Sequence, residues 1–269
     1  MNLCFFFEGT GRNGEDEITN VTRLHNAMEF SGRQLLHLEP GPGTHFGSYL
    51  RGRLHGHDWW FSFRKARRWY EKFSRPEKPS ADRVKVFIFG FSRGALIARH
   101  FAAWLDKLGT EVAFMGLWDT VDSTLGLDVS ETAPANVRFA RHAVARDEMR
   151  RMYGFVPIKA PQTGNGKVEQ LLFPGSHTDV GGLFEDNHTI ADHSLAWIAD
   201  GAKTAGAFFT DSSVLDAPAE DETPVVHDSS GEATNLWGLL GRTPRNLEGI
   251  EPHPICGRLS PSRAERQAP

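Results

Sequence analysis

Residues 84–98, Val-Lys-Val-Phe-Ile-Phe-Gly-Phe-Ser-Arg-Gly-Ala-Leu-Ile-Ala, predict a strand, a sharp turn and a helix in succession. The apolar run at 84–89 is typical of a strand buried on both faces. Gly90, Ser92 and Gly94 then form a G-x-S-x-G pattern. Such a turn strains the serine, and only small residues beside it let strand and helix approach each other. We therefore expect the Ser92 hydroxyl above a sheet, at a helix N-terminus.

Similar short apolar runs recur along the chain and alternate with segments of helical spacing. The predicted strands are 3–7, 35–38, 84–89, 112–118 and 168–173, and the predicted helices are 20–31, 57–74, 94–108, 136–152 and 191–207. This alternation predicts an α/β-hydrolase-like, doubly wound and mostly parallel sheet with helices on both faces. Because such sheets bind ligands at the carboxyl ends of their strands, the residues after each run are the candidate site.

Composition excludes several classes of protein. The chain has 269 residues, 39% of them hydrophobic and 24% charged, which is typical of a globular protein. A net charge of −4 argues against a nucleic-acid partner, and two cysteines are too few for a disulfide scaffold. The N-terminus has no basic segment and its apolar run stops at Phe7, so no signal peptide is expected. These features predict a cytoplasmic location in the producing cell.

The C-terminal part differs from the rest in charge. Residues 211–269 carry ten acidic and five basic side chains and are rich in proline. We expect a catalytic core at 1–210 and a Pro-rich acidic extension at 211–269 that packs on the same domain or trails from it.

Two further polar residues follow predicted strands. Asp119 comes directly after the strand at 112–118, and His177 follows the strand at 168–173 on a glycine-rich loop. A serine nucleophile needs a base, the base needs an orienting acid, and the order Ser, Asp, His is that of α/β-hydrolases. The sequence therefore predicts Ser92 as nucleophile, Asp119 as acid and His177 as base.

Other side chains remain candidates for these roles. Asp119 alternatively caps a turn, and Asp122 is its nearest competitor. The rival histidines, none of which follows an apolar run so directly, are His188, His193, His227 and His253. Asp179 is expected either to orient another group or to hold its loop by hydrogen bonds.

Backbone amides are expected to stabilise a developing oxyanion. The amide of Arg93, which follows the nucleophile, is one candidate. The second donor usually lies on a loop after an early strand, where Gly9 or Thr10 could serve.

The same glycine-rich loop supports an alternative function. Residues 9–14, Gly-Thr-Gly-Arg-Asn-Gly, match the G-x-G-x-x-G pattern of dinucleotide-binding folds, and Glu39 ends the second strand where a ribose-binding acid would lie. However, Glu8 and the acidic residues 15–17 would repel a diphosphate, and the helical pattern begins only near Asn20. The sequence therefore disfavours an NAD(P)-dependent oxidoreductase without removing it.

Two other patterns are weaker. His55, His57 and Asp58 bring metal-ligand types together, but no spaced partner completes a set, so no metal is predicted. The basic and aromatic segment 57–74 is either a helix packed on the sheet, which we favour, or an interfacial helix that contacts anionic lipid.

The ordered motifs resemble the catalytic domain of the type VI secretion lipase effectors, a group of bacterial α/β-hydrolases. The matching blocks are 7–11, 19–24, 41–44, 90–95, 117–121, 140–143, 147–148 and 173–182, with weaker matches at 227–229 and 253–254. At one position the chain departs from the pattern, since Glu8 stands where the family usually has Asp.

The resemblance implies a serine esterase or phospholipase that cleaves lipid esters without a cofactor. Carried over by position, it assigns Ser92, Asp119 and His177 the same three roles. It leaves open peripheral membrane contact, an immunity or delivery protein as partner, and export without a signal peptide. A catalytically silent binding module of the same fold remains the other alternative.

Overall fold

A mostly parallel sheet forms the centre of the molecule. The computed structural model describes residues 1–14, 18–44, 59–74, 84–122, 130–151, 153–161, 164–219, 222–227 and 243–259. Its strands are β1 (Asn2–Phe7), β2 (Gln34–Glu39), β3 (Lys85–Phe91), β4 (Val112–Trp118), β5 (Val121–Asp122), β6 (Phe139–Ala145), β7 (Gly154–Phe155), β8 (Lys167–Phe173) and β9 (Glu251–Pro252). Within the described ranges, seven of these form one parallel sheet in the order β2-β1-β3-β4-β6-β8-β9. The short β5 and β7 pair antiparallel beside it.

Helices cover both faces of this sheet. They are α1 (Asn20–Ala27), α2 (Trp59–Ser74), α3 (Arg93–Lys107), α4 (His177–Gly181) and α5 (Thr189–Thr204). On one face Phe5 of β1 packs on rings from α2 and α3, and on the other face its neighbour Phe6 packs on α1. Because successive strand residues point to opposite faces, a strand covered on both sides is expected to be mostly apolar, as β1 is after Asn2. The predicted doubly wound α/β architecture is confirmed.

The continuous apolar runs predicted their strands well. All five predicted strands are present, and β4 has the predicted bounds. Four predicted helices are present as α1, α2, α3 and α5, with ends shifted by a few residues. None of the helices in the described part of the chain is both long and apolar enough to cross a bilayer.

The predicted helix at 136–152 is wrong, because the central part of this segment is strand β6. The polar residues Arg141 and His142 interrupt its apolar run and imitate helical spacing. His142 is nevertheless fully buried, because its Nε2 accepts the Thr120 amide at 3.0 Å and its Nδ1 faces Gln170 Oε1 at 3.0 Å. A buried polar side chain that is satisfied by neighbouring strands therefore concealed a central strand of the sheet.

The segment at 243–259 lies against the edge of the sheet. Its strand β9 pairs with β8, and Ile255 inserts into the core with 1% of its surface exposed. The Thr243 amide also donates to the Met149 carbonyl at 2.9 Å. This part of the predicted extension thus contacts the loop after β6, next to the candidate site described below.

Acid is expected to destabilise the fold through His142. Burial and the charge of Arg99 lower the pKa of His142 to about 3. In the unfolded chain this imidazole binds its proton at about pH 6.5, whereas in the native state it does not. His142 alone should therefore lower the free energy of unfolding by about 1.4 kcal/mol for each pH unit between the unfolded and the native pKa. Denaturant unfolding at several pH values measures the slope, and His142→Gln should remove this contribution. An identical slope in the variant would contradict the assignment.

Candidate active site

Ser92 occupies the turn between β3 and α3 in a strained conformation. Its φ is 59° and its ψ is −128°, values that side-chain-bearing residues rarely adopt. The turn is held by its own backbone, since the Ser92 amide donates to the Trp118 carbonyl at 3.0 Å and the Ser92 carbonyl accepts from the Ala95 amide at 3.1 Å. Strain of this kind persists only where the surroundings enforce it, and it is concentrated at functional sites.

Glycines permit the close approach that this turn requires. A Cβ on Gly90 would lie 2.7 Å from the Ala95 Cα, and one on Gly94 would lie 2.3 Å from the carbonyl oxygens of Phe7 and Glu8. No real Cβ makes such contacts with backbone. The sequence argument that only small residues fit at these two positions therefore agrees with the geometry, and it extends to the packing of α3 against the end of β1.

Asp119 lies directly after β4 and is fully buried. Its φ of 40° is also unusual for a residue with a side chain. The Asp119 amide donates to the Ala143 carbonyl at 2.7 Å, and its Oδ1 accepts from the Ala145 amide at 2.9 Å. By contrast, its predicted competitor Asp122 is exposed on β5. The end of β6 thus fixes the Asp119 carboxylate.

His177 is the first residue of α4, and its imidazole meets Asp119. The Nδ1 of His177 lies 2.6 Å from Asp119 Oδ2, so an Nδ1–H group donates a hydrogen bond to the carboxylate. The ring stacks on Phe91 with centroids 4.6 Å apart and meets the edge of Tyr153 at 4.7 Å. Because Phe91 immediately precedes Ser92, the imidazole lies beside the turn that carries the serine.

Two acidic residues after β6 hold the loop that carries His177. Glu148 Oε2 accepts the His177 amide at 3.1 Å, and Arg150 binds the same carboxylate at 2.7 and 2.9 Å. Asp147 Oδ2 accepts the Gly175 amide at 2.7 Å. No sequence pattern assigned Asp147 or Glu148 a role in the site, although both lie in one of the matching blocks.

The rival histidine His227 has no ring nitrogen left to accept a proton from a serine. Its Nδ1 lies 2.5 Å from Asp179 Oδ1, and its Nε2 lies 3.0 Å from Asp186 Oδ2. Burial alone would lower the pKa of His227, but these two carboxylates raise it above its usual value. Asp179 also accepts the amide and hydroxyl of Ser176 at 2.7 and 2.8 Å. Both expectations for Asp179 therefore agree with its contacts, since it orients His227 and holds its loop.

The other rival histidines lie elsewhere in the fold. His253 accepts the Ile255 amide at 3.2 Å and stacks on Phe173. His188 directly precedes α5, and His193 lies within that helix, 5.7 Å from the His253 ring. The contact with Asp119 thus distinguishes His177 from these residues.

Glu8 organises the loop that was expected to supply an oxyanion donor. Its buried carboxylate accepts from the hydroxyls of Thr19, at 2.7 Å, and Thr22, and from the Gly9 amide at 3.1 Å. Burial raises the pKa of Glu8 despite these hydrogen bonds. Since the Gly9 amide already has an acceptor, Thr10 is the better candidate of the two. The Thr10 hydroxyl accepts from the side chain of Arg93, which joins this loop to α3.

A dinucleotide site requires a helix that begins on the glycines, whereas the described residues 9–14 are not helical. Helix α1 begins at Asn20 and is capped by the Thr19 hydroxyl, several residues after Gly14. Glu39 is buried, and its Oε1 lies 2.7 Å from His37 Nε2. Residues 15–17 lie outside the described residues. The geometry thus offers no helix N-terminus on the glycines for a pyrophosphate.

The three residues of metal-ligand type named in the sequence lie in a part of the chain that the structure does not describe. His55, His57 and Asp58 lie outside the described residues. Across the ranges that are described, no group of three or more His, Cys, Asp and Glu side chains is arranged to hold a metal ion.

Arg245, which the sequence analysis missed, binds the Asp119 carboxylate directly. Its two terminal nitrogens lie 2.6 and 2.9 Å from Asp119 Oδ1 and Oδ2 and also donate to the carbonyls of Ala145 and Tyr153 at 3.2 Å. Burial would raise the pKa of Asp119, but Arg245 and His177 hold it well below its usual range. Burial lowers the pKa of His177, although its bond to Asp119 acts in the opposite direction. No local sequence signal marked Arg245.

The fold and the site together define an α/β-hydrolase-like protein. Ser92, Asp119 and His177 follow the carboxyl ends of β3, β4 and β8, and all three therefore lie at one edge of the parallel sheet. The strand, strained serine turn and helix have the arrangement of a nucleophile elbow.

The comparison with protein families places the chain more narrowly. The model of the catalytic domain of Tle1-like phospholipase effectors of the type VI secretion system matches residues 1–110 and 109–201. The chain belongs to this family, which confirms the resemblance found in the sequence. The comparison with curated proteins gives no match.

Two solved structures of similar proteins come from chains that are longer than this one. A crystal structure of an uncharacterized protein from Pseudomonas aeruginosa has a TM-score of 0.53 and 18% identity, over 82% of this chain and 48% of that chain. A Tle1 effector bound to the VgrG spike has a TM-score of 0.45 and 19% identity, over 68% and 51%. The chain thus spans about half the length of these two proteins. The first likeness supports the fold.

The packing at Gly94 gives a stability test. Gly94→Ala should destabilise the protein by about 1–3 kcal/mol or more, because its Cβ would force α3 away from two carbonyls at the end of β1. Gly32→Ala is the control, since nothing lies within 4 Å of a Cβ there, and it should change stability by less than about 0.5 kcal/mol. Denaturant unfolding measures both. Equal stability of the two variants would refute the close approach.

Proposed function

We propose that the protein is a serine hydrolase that cleaves carboxylic esters of lipids. The observation that carries this proposal is the 2.6 Å bond between His177 Nδ1 and Asp119 Oδ2, beside the strained turn of Ser92. Membership of a phospholipase effector family supports the ester-hydrolase class. In this proposal Ser92 is the nucleophile, His177 the general base and Asp119 the acid that orients it.

The proposed reaction proceeds through an acyl-enzyme. His177 Nε2 takes the Ser92 proton while Oγ attacks the ester carbonyl, and Asp119 keeps the other ring proton on Nδ1. The amides of Arg93 and Thr10, or less favourably Gly9, stabilise the tetrahedral oxyanion. His177 then protonates the departing alcohol, and water releases the fatty acid by the same steps in reverse. This chemistry uses side chains and backbone amides of the chain.

A phospholipid is the substrate class that best suits the surroundings. The exposed face of α2 carries five basic side chains and one acidic one, namely Arg64, Lys65, Arg67, Arg68, Lys72 and Glu71. Trp60 and Phe61 at the start of α2 are 36% and 41% exposed and stack on each other. A basic helix face with exposed aromatic rings fits the surface of an anionic bilayer.

The position of α2 would bring the site toward that bilayer. Its apolar stripe packs on the sheet, as the sequence favoured, and the Ser62 hydroxyl donates to the Pro40 carbonyl at 2.9 Å. Pro40 follows β2, so the start of α2 lies at the same edge of the sheet as Ser92. Trp60 and Phe61 would then contact lipid on the side where the ester must enter.

Delivery and location follow from the family. The structure of a Tle1 effector bound to the VgrG spike suggests a spike protein as delivery partner for this chain. We infer that the protein resides in the cytoplasm of the producing cell and is exported by a type VI apparatus. An immunity protein in the producing cell would protect that cell from the enzyme.

The first test is covalent labelling at Ser92. A fluorophosphonate probe should label the wild type, and Ser92→Ala should abolish both labelling and phospholipid hydrolysis, because the probe and the ester require the same activated hydroxyl. Ser213→Ala, on an exposed turn, is the control and should behave like the wild type. Products from mixed phospholipids and neutral esters are identified by mass.

The alternatives make different predictions in the same experiment. A folded wild type that neither labels nor releases fatty acid would refute the hydrolase and favour a binding module. Calorimetric binding of NAD(P) by that protein would instead favour the oxidoreductase.

The second test addresses lipid contact. In a Ser92→Ala background, Trp60→Ser combined with Phe61→Ser should weaken binding to vesicles that contain phosphatidylglycerol by at least about tenfold, because two exposed rings are lost from the interface. Leu108→Ser is the control. Leu108 is 53% exposed, but it lies at the C-terminal end of α3, whereas Ser92 lies at the N-terminal end of this helix. Co-sedimentation measures binding. The proposed lipid contact would be contradicted if the double variant bound as strongly as its Ser92→Ala parent. It would also be contradicted if the parent did not prefer phosphatidylglycerol vesicles to phosphatidylcholine vesicles.

A further inference from the structure

The Asp119 carboxylate accepts four hydrogen bonds, two on each oxygen. Oδ1 accepts from the Ala145 amide at 2.9 Å and from Arg245 at 2.6 Å. Oδ2 accepts from His177 Nδ1 at 2.6 Å and from Arg245 at 2.9 Å. The bidentate pairing with Arg245 fixes the plane of the carboxylate, because the guanidinium fork matches both oxygens at once.

The surroundings of Arg245 are those of a fixed group rather than a surface cation. Its side chain is only 5% exposed, and its terminal nitrogens also donate to two backbone carbonyls, those of Ala145 and Tyr153. It lies in the wall of an open cavity of about 620 Å³ that Tyr153 and Arg150 also line. Of the three guanidinium nitrogens of Arg245, only Nε has no hydrogen-bond partner within the described residues.

We propose that Arg245 is a positioning residue, which orients the Asp119 carboxylate toward His177 and offsets its charge, so that protonation of His177 is disfavoured. This inference rests on the proposed function, in which His177 is the general base. It gives the C-terminal segment a part in the reaction that neither the family match at 1–201 nor the sequence motifs assign.

The charge effect follows from the groups that face His177. A lone buried carboxylate beside an imidazole favours the imidazolium, whereas the Asp119–Arg245 pair has no net charge. The other ionised neighbours, Glu148 and Arg150, also form a pair with each other. Tyr153 and Phe91 contribute uncharged rings. His142 is a further titratable group close to Asp119, since it accepts the amide of the next residue, and burial lowers its pKa.

Removal of the Arg245 charge should therefore favour protonation of His177. With Asp119 unopposed, the imidazolium becomes more stable and the pKa of His177 rises. Since the base must be neutral, activity would then be lost at higher pH than in the wild type. A purely structural role would lower activity at every pH without moving this limb of the profile.

Histidine NMR of the full chain tests the inference without depending on activity. The His177 signal, assigned with His177→Gln, should titrate below the ordinary value of about 6.5 in the wild type. In Arg245→Met its midpoint should rise by about one pH unit or more. In Arg245→Lys, which keeps the charge but not the fork, it should stay within about 0.5 unit, while probe labelling slows by about three- to tenfold. Arg33→Met, which removes an exposed pair with Glu29, is the control.

The outcomes separate this inference from the proposed function. A midpoint that is unchanged in a folded Arg245→Met, or a wild-type midpoint above about 7, would overturn the role of Arg245. If Arg245→Met does not fold, Arg245→Lys decides the matter, because unchanged probe labelling in that variant would overturn the positioning role. A shifted midpoint in a protein that never labels with a fluorophosphonate would support Arg245 and refute the hydrolase. Labelling of the wild type together with an unshifted midpoint in Arg245→Met would support the hydrolase and refute the role of Arg245.

Discussion

The Asp119 carboxylate lies fully buried beyond β4 and accepts hydrogen bonds from three other parts of the chain. An ion buried in this way is tolerated only if donors inside the protein replace its lost hydration. The end of β6, the start of α4 and the C-terminal segment supply those donors through Ala145, His177 and Arg245. Each of these parts must therefore be in place before the others are held correctly. The unusual φ of Asp119 occurs at this same buried position.

Much of this arrangement could be predicted from the sequence because local chemistry and position coincide. Strands inside the sheet are mostly apolar, so β1, β3 and β4 were visible as short apolar runs, and β8 was visible through its apolar end at 171–173. A parallel sheet brings the residues after such strands to one edge. The positions of Ser92, Asp119 and His177 at that edge followed from this rule, and the glycines beside Ser92 indicated the close packing of β3 and α3.

The remainder depends on contacts between residues that are far apart in sequence. Strand β6 contains the partly exposed Arg141 and the buried His142, whose polar atoms are satisfied by partners on β8, α5 and the loop after β4. Arg245 lies 126 positions from Asp119, in an acidic segment whose composition suggests only a covering role. The Glu8 carboxylate similarly finds its donors on Thr19 and Thr22. No local periodicity reports such partners, so sequence reasoning detects neither them nor their effect on pKa.

The pairing of Arg245 with Asp119 is not explained by stability alone. Bringing two charges out of water costs several kcal/mol per ion, and apolar residues of equal volume often stabilise a fold as well or better. What an apolar substitute cannot provide is a donor fork that fixes the carboxylate plane and offsets its charge beside an imidazole. A free carboxylate would bind the imidazolium more strongly, but it would also rotate and retain the proton on the base. The buried pair therefore favours orientation and a neutral base over maximal stabilisation of the charged intermediate.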